Sequence, residues 1–446
     1  MILKVTAMLG TLSEDTKKMI QTVGSPLQVQ ADLDPLMEEI GDAHLVLLGE
    51  ATHGTSEYYL WRKRLSQRLI QEKGFSFIAV EGDWPDCYKV NRYIKGYENA
   101  GENAYHILHA FKRWPTWMWA NWEVVALVEW LRQYNDQAPE PDQVGFYGLD
   151  VYSLWESLSE VTRYLTMYEP DALHTAYQAY QCFQPYDEDV QSYARATRLI
   201  PTSCESEVVD LLVAMQRKGL ATLYDGDREA QFNAQQNAHV AVGAERYYRT
   251  MVRGDAESWN VRDHHMVDTL ERLLNYYGDN TKAIIWAHNT HIGDARATPM
   301  AQAGIVNVGQ LVRERLGKEG VVLVGSGSYE GHVIAGRYWD ADMEEMPIVE
   351  AAGESWEGVL HETFGEDTLL IFSKDAQARE LLEQVRGHRA IGVVYDPYSG
   401  RRGGFVPTAL SRRYDAFLYL QETEALHPLH LQPETTQPPE TYPWGV

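Results

Sequence analysis

Blocks of apolar residues punctuated by glycine and acidic turns divide this chain into strands and helices. Leu45 to Leu48 is a run of four apolar residues between Gly41-Asp42 and the turn Gly49-Glu50-Ala51-Thr52-His53-Gly54, a length and composition that predict a short buried strand. Thr55 or Ser56 can then cap a helix that keeps its period to Lys73, with Tyr58, Trp61, Leu65 and Leu69 on one face. Further strands are expected at Phe77–Val80, Gln143–Gly148, Ala283–Ala287, Val321–Val324, Thr368–Phe372, Ala390–Tyr395 and Ala416–Leu420. Helices are expected at Asp34–Ile40, Asp86–Gly96, Glu123–Asn135, Asn307–Leu316 and Lys374–Val385. From Tyr152 to Tyr277 the pattern is helical almost throughout, with breaks at Glu169-Pro170, Gln184-Pro185, Pro201 and Gly254.

Strands alternating with helices predict an α/β fold, a central and mostly parallel sheet with flanking helices and a large helical insertion. The expected division is a first part of the core over residues 31–150, the insertion over 151–279, a second part of the core over 280–425 and a tail over 426–446. Residues up to about Gln30 read as a loosely attached start.

Composition narrows the function classes. With 446 residues, 44% hydrophobic and 23% charged, the chain resembles an ordinary globular enzyme. A formal net charge of −25 argues against nucleic acid or an anionic membrane surface as partner, because both need a basic face. Cys87, Cys182 and Cys204 are odd in number and widely spaced. They predict neither a disulfide framework nor a thiolate metal site, and fit a reducing cytoplasm. No apolar run reaches the length of a membrane span, and the patch from Val5 to Leu9 is too short for a secretory signal.

The candidate chemistry sits at strand ends. The first strand ends at Glu50 with His53 three residues on, the second at Glu81, and the one at Ala283–Ala287 at His288 with His291 three residues on. Open α/β sheets bind ligands beyond the carboxyl ends of their strands, so neighbouring strands would bring these groups into one cleft. Arg62, on the helix after His53, leans back toward the same end. Asp150 is a possible further contributor; Asp150 and Asp83 also read as caps of the next helices. For Arg262, Asp263 and His265 an ion-paired helix surface is the default, with a role in the cleft as the alternative. Trp114, Trp117, Trp119, Trp122 and Trp130 read as core, or in part as the wall of an apolar or sugar-binding cleft.

There is no Gly-x-Ser-x-Gly elbow, no P-loop, and the Gly325–Gly331 stretch is one residue too long for a dinucleotide loop. Two mechanisms remain. In one, needing no cofactor, His53 takes a proton from water, Glu50 or Glu81 orients its ring, and Arg62, His288 and His291 bind or polarise the electrophile. In the other, Glu50, His53, Glu81, His288 and His291 hold a divalent metal that activates the water. A non-catalytic protein binding a glycosylated or polyketide ligand is a third reading.

Gly49-Glu50-Ala51-Thr52-His53-Gly54, Arg62, Glu81-Gly82-Asp83-Trp84-Pro85-Asp86, Pro115-Thr116-Trp117-Met118-Trp119, Gly148-Leu149-Asp150-Val151-Tyr152-Ser153, Trp259-Asn260-Val261-Arg262-Asp263 and Trp286-Ala287-His288-Asn289-Thr290-His291-Ile292-Gly293-Asp294 together resemble, in order, the signatures of the erythromycin esterase family. The resemblance spans residues 45 to about 420 and implies an α/β core around a deep cleft. It also implies hydrolysis of a macrolide lactone, an antibiotic-resistance activity, by water activated on the histidine matching His53. Glu50, Arg62, Glu81, His288 and His291 match the family's active-site positions, and the family mechanism is usually taken as metal-independent. The expected partner is a small-molecule ester or lactone.

Overall fold

A computed structural model describes residues 12–186, 189–199, 203–216, 229–252, 256–398 and 404–430. Their strands are, in chain order, β1 Gly24–Pro26, β2 Leu45–Glu50, β3 Phe77–Asp83, β4 Gly145–Asp150, β5 Ala283–His288, β6 Val321–Gly336, β7 Met343–Ile348, β8 Thr368–Ile371, β9 Val385–Arg389, β10 Phe405–Ala409 and β11 Ala416–Thr423. Eight of them form one sheet in the order β1-β8-β11-β6-β2-β5-β3-β4, with β7 paired to the far end of β6. The run from β11 to β4 is parallel throughout. At one edge β8 runs antiparallel to both its neighbours, β11 and β1, and β9 and β10 form a separate antiparallel ribbon.

Every residue of β2 and β5 is buried, as unbroken apolar runs require when helices cover both faces of a sheet. Side chains alternate between the two faces: Val46, Leu48, Ile284 and Trp286 enter one core, and Leu45, Leu47, Phe77 and Ile285 the other. From β2 the chain goes to β3 and β4 on one side and returns through β5 to β6 on the other. The strand order therefore reverses at β2 and β5, where open sheets form a crevice.

The helices Leu154–Tyr168, Leu173–Phe183, Val190–Leu199, Glu205–Gln216 and Ala230–Met251 share a core of their own around Leu158, Val161, Tyr193 and Tyr248. The next helix, Ala256–Tyr277, returns to the sheet, packing Met266, Val267, Leu270 and Leu273 against β3 and β5 residues. The breaks read at Pro170 and Pro185 are short 3-10 turns; those at Pro201 and Gly254 lie outside the described residues. Among the described residues no helix is long and apolar enough to cross a membrane.

Four expectations are corrected. Cys182 and Cys204 form a disulfide that clips two helices of this layer together, so the inference from cysteine spacing to a reducing compartment loses its premise. Cys87 is free and buried. The start of the chain is not loose from residue 12 on: β1 joins the sheet, and Val23 and Leu27 are fully buried. Beyond Leu426 the chain stays packed to residue 430, with Leu429 buried and Pro428 bridged to Asn121; the rest of the expected tail lies outside the described residues. Finally, the strand read at Ala390–Tyr395 is displaced to β9. Ile391 and Val394 make only single bridges, to Thr52 and Gly336, because this segment crosses the ends of β2 and β6 instead of joining the sheet edge to edge.

Candidate active site

The turn after β2 is folded by close packing. A Cβ on Gly54 would lie 1.9 Å from the Ile334 carbonyl oxygen, and Gly54's own carbonyl accepts the amides of Ile334 and Leu426, each at 2.9 Å. That turn brings His53 Nδ1 to 2.9 Å from Glu50 Oε1. A carboxylate can only accept, so Nδ1 carries the proton and Nε2 keeps its lone pair when the ring is neutral. The other Glu50 oxygen accepts Arg62 Nη2 at 2.6 Å, and the Arg62 guanidinium lies over the rings of Tyr59 and Trp286 at 4.3 and 4.6 Å. Arg62 therefore stands behind Glu50, outside the cavity that His53 lines. In this position it holds the carboxylate that holds the histidine.

His288 ends β5 beside His53, their ring centroids 5.0 Å apart. Its Nδ1 accepts the amide of Thr290 and lies 2.8 Å from the Thr290 hydroxyl. The ring proton then belongs on Nε2, which is buried and makes no well-formed hydrogen bond among the described residues, the Ala51 backbone being the group that acts on the ring. Burial, reinforced by the neighbouring His53, pushes His288 well below the usual imidazole range and keeps it neutral.

Glu81, His291 and two residues of the helix Ala256–Tyr277 form a network beneath this pair. Arg262 donates to both oxygens of Asp150, at 2.9 and 2.6 Å, and to Glu81 Oε1 at 2.7 Å. The second Glu81 oxygen accepts the backbone amide of His288 at 2.8 Å. His291 faces Asp263 through Nδ1 at 3.0 Å, lies 2.9 Å from Arg262 Nη1 through Nε2, and stacks on Trp259. Burial and Arg262, whose contact suits an accepting Nε2, oppose a second proton on His291, but Asp263 and Glu81 prevail and lift it to about 9, with Glu81 Oε1, 3.4 Å from Nε2, as the acceptor of that proton. Burial likewise opposes ionisation of Glu81, yet His291 and Arg262 hold it well below the usual carboxylate range.

All six strand-end and helix residues singled out by sequence meet here: His53, Glu81, His288 and His291 line the cavity, with Glu50 and Arg62 behind His53. Asp150 belongs to the network, and Asp83, lining the cavity, caps nothing by its side chain. His265 does not join: it is buried between helices, 3.4 Å from the Thr269 hydroxyl. For Arg262 and Asp263 the surface reading is overturned. Their spacing from Trp259, three and four residues on, is the periodic signal that places all three on one helix face. Arg113 and Trp339 also line the cavity and left no periodic signal, since both lie on loops. Trp114 and Trp119, with Phe111 and Met118, make an apolar wall, whereas Trp117 is core and Trp122 is exposed.

Among the described residues no three His, Cys, Asp or Glu side chains are arranged to hold a metal ion. Each oxygen of Glu50 and of Glu81 accepts a hydrogen bond from a protein donor.

The sequence model of the erythromycin esterase family matches residues 70–423. Erythromycin esterase type II of Escherichia coli is 24% identical over 335 residues, which cover 68% of this chain and 73% of that protein. The crystal structure of a succinoglycan biosynthesis protein superposes with a TM-score of 0.73 at 23% identity, covering 93% of this chain and 98% of the other. An erythromycin esterase, EreC, solved as a histidine-to-asparagine mutant in its open conformation, superposes with a TM-score of 0.61 at 15% identity, covering 91% and 96% of the two chains.

Proposed function

Since this chain belongs to the erythromycin esterase family, we propose that it hydrolyses a carboxylic ester or macrolide lactone with water activated on His53. The observation that carries this reading is the Glu50–His53 contact of 2.9 Å with the neutral His288 ring beside it, the two ring centroids 5.0 Å apart. His53 Nε2 accepts a proton as water attacks the carbonyl carbon, and Glu50, fixed by Arg62, stabilises the imidazolium that forms. His288 Nε2–H donates to the carbonyl oxygen as negative charge develops there. Glu81 and the Arg262–Asp150–His291–Asp263 network act at one remove, holding the backbone and the ring positions of this end of β5. The apolar wall of Phe111, Trp114, Met118 and Trp119 favours a substrate with a broad apolar face, as a macrolide has.

No step in this scheme needs a metal. Mass spectrometry of erythromycin and of a panel of smaller lactones and esters, incubated with the protein in excess chelator, tests it. The expected result is gain of one water by at least one compound, undiminished by chelator. Activity lost in chelator and restored by a particular cation supports the metal reading instead, and tight binding with no product supports the binding protein.

A further inference from the structure

One carboxyl lining the cavity takes no part in that scheme. Asp83 lies at the end of β3, two residues beyond Glu81, and its side chain is 9% exposed. Its Oδ2 accepts Arg113 Nε, while Oδ1 is buried and has no partner among the described residues. Arg113 is also shared, since its Nη2 donates to Glu156 at 2.8 Å. One guanidinium thus faces two carboxyls, and the two do not share burial: the Glu156 side chain is 44% exposed. Asp86 and Asp150 line the same cavity and add negative charge around Asp83. A buried carboxylate oxygen without a donor is costly, and a proton on it removes the charge that makes up most of that cost.

We propose that Asp83 is the general acid of the hydrolysis, giving the proton on Oδ1 to the departing alcohol oxygen. Burial pushes Asp83 up to about 8 against the pull of Arg113, with Glu156, Asp150 and Asp86 adding to the rise, so the acid form is present at neutral pH. In the first half of the reaction the water oxygen bonds to the carbonyl carbon and its proton passes to His53. In the second half the bond from carbon to the alkoxy oxygen breaks and its electron pair goes to that oxygen. The alkoxy oxygen takes the Asp83 proton and leaves as the alcohol. Asp83 is left as a carboxylate paired to Arg113, and the proton held by His53 returns to it through solvent. Pairs of titratable groups driven to opposite protonation states in one site divide acid and base work in this way.

The proposal rests on the hydrolase reading, and a leaving-group comparison separates the two. Esters of one acid with alcohols from nitrophenol to a simple alkyl alcohol are assayed with wild type and Asp83→Asn, an exchange that keeps the shape of the side chain. The expected loss in kcat/KM for the variant is about 10²-fold on the alkyl ester, the lower end for loss of general acid–base catalysis. On the nitrophenyl ester, whose leaving group needs no proton, the loss is at least tenfold smaller. The wild-type rate on the alkyl ester also falls as pH rises through about 8, and the variant lacks that limb. Equal losses on every ester, or an unchanged alkaline limb, overturn the acid role while leaving the hydrolase reading intact. No hydrolysis of any ester by wild type overturns both. Should Asp83→Asn fail to fold, the wild-type series alone decides: a steep dependence of rate on leaving-group acidity contradicts an acid at Asp83.

Discussion

His291 ties the chemistry of single residues to the stability of the fold. Its proton is favoured in the folded state, where Asp263 and Glu81 lift it from the ordinary value of 6.5 to about 9. A raised folded value means that this contribution to stability is fully present below 6.5 and is lost as pH rises through about 9. Glu81 has the opposite sign. Its folded value is depressed, so its contribution is present above the ordinary 4.5 and is lost as pH falls through the folded value. Thermal melting across this range should show wild type losing stability on the alkaline side. Asp263→Asn should flatten that loss, because it removes the charge that favours the His291 proton and keeps an acceptor for the Val308 amide. Parallel curves for the two proteins contradict the assignment. At this scale the sequence is informative wherever a titratable residue directly follows an apolar run, as with Glu50, Glu81 and His288. It is uninformative for Arg113, which lies on an irregular stretch, where no periodicity says which way a side chain points.

Among the elements, the turn after β2 is the most constrained. Its geometry depends on Gly54 lying against the backbone of β6, too close for any side chain. Gly54→Ala is expected to destabilise the protein by about 1–3 kcal/mol, the usual range for overpacking a close contact. It should also lower activity, since the same turn sets the 2.9 Å contact between His53 and Glu50. Denaturant unfolding compared with the wild type checks the first effect, and a change of under about 0.5 kcal/mol, as for a surface substitution, contradicts it. The strands that hold the site are legible because they are short apolar runs ending in glycine and charge. The strand expected at Ala390–Tyr395 fails for the complementary reason: Ile391, Val393 and Val394 give it a strand's composition, but its partners are single residues across the sheet end. The helix Ala256–Tyr277 hides its inward face because Arg262 and Asp263 are charged and look like surface until Glu81, Asp150 and His291 are placed beneath them.

For the whole molecule, strand order decides whether the groups meet, and strand order is not a local property. β5 follows β4 in sequence after the entire helical layer yet inserts between β2 and β3. Hydrophobic pattern gives the strands and not their neighbours. The convergence of His53 and His288 is therefore an expectation at the level of sequence, and only the pairing of β2 with β5 makes it a fact. The disulfide is hidden in the sequence for the same reason, since Cys182 and Cys204 are 22 residues apart and only folding of the helical layer brings them together. Closing a loop of that length contributes about 3 kcal/mol by restricting the unfolded chain. Reductant should therefore lower the melting temperature, and identical melting with and without it contradicts the bond.

The central claim, that Glu50 and His53 act as one unit to activate water, is tested most directly by turnover of a hydrolysed ester with His53→Ala, Glu50→Gln and the double variant. His53→Ala is predicted to lower kcat by at least about 10²-fold. The double variant should fall no further than His53→Ala alone, because Glu50 acts only through the histidine. Near-wild-type turnover in His53→Ala, or losses that multiply in the double variant, would contradict the account.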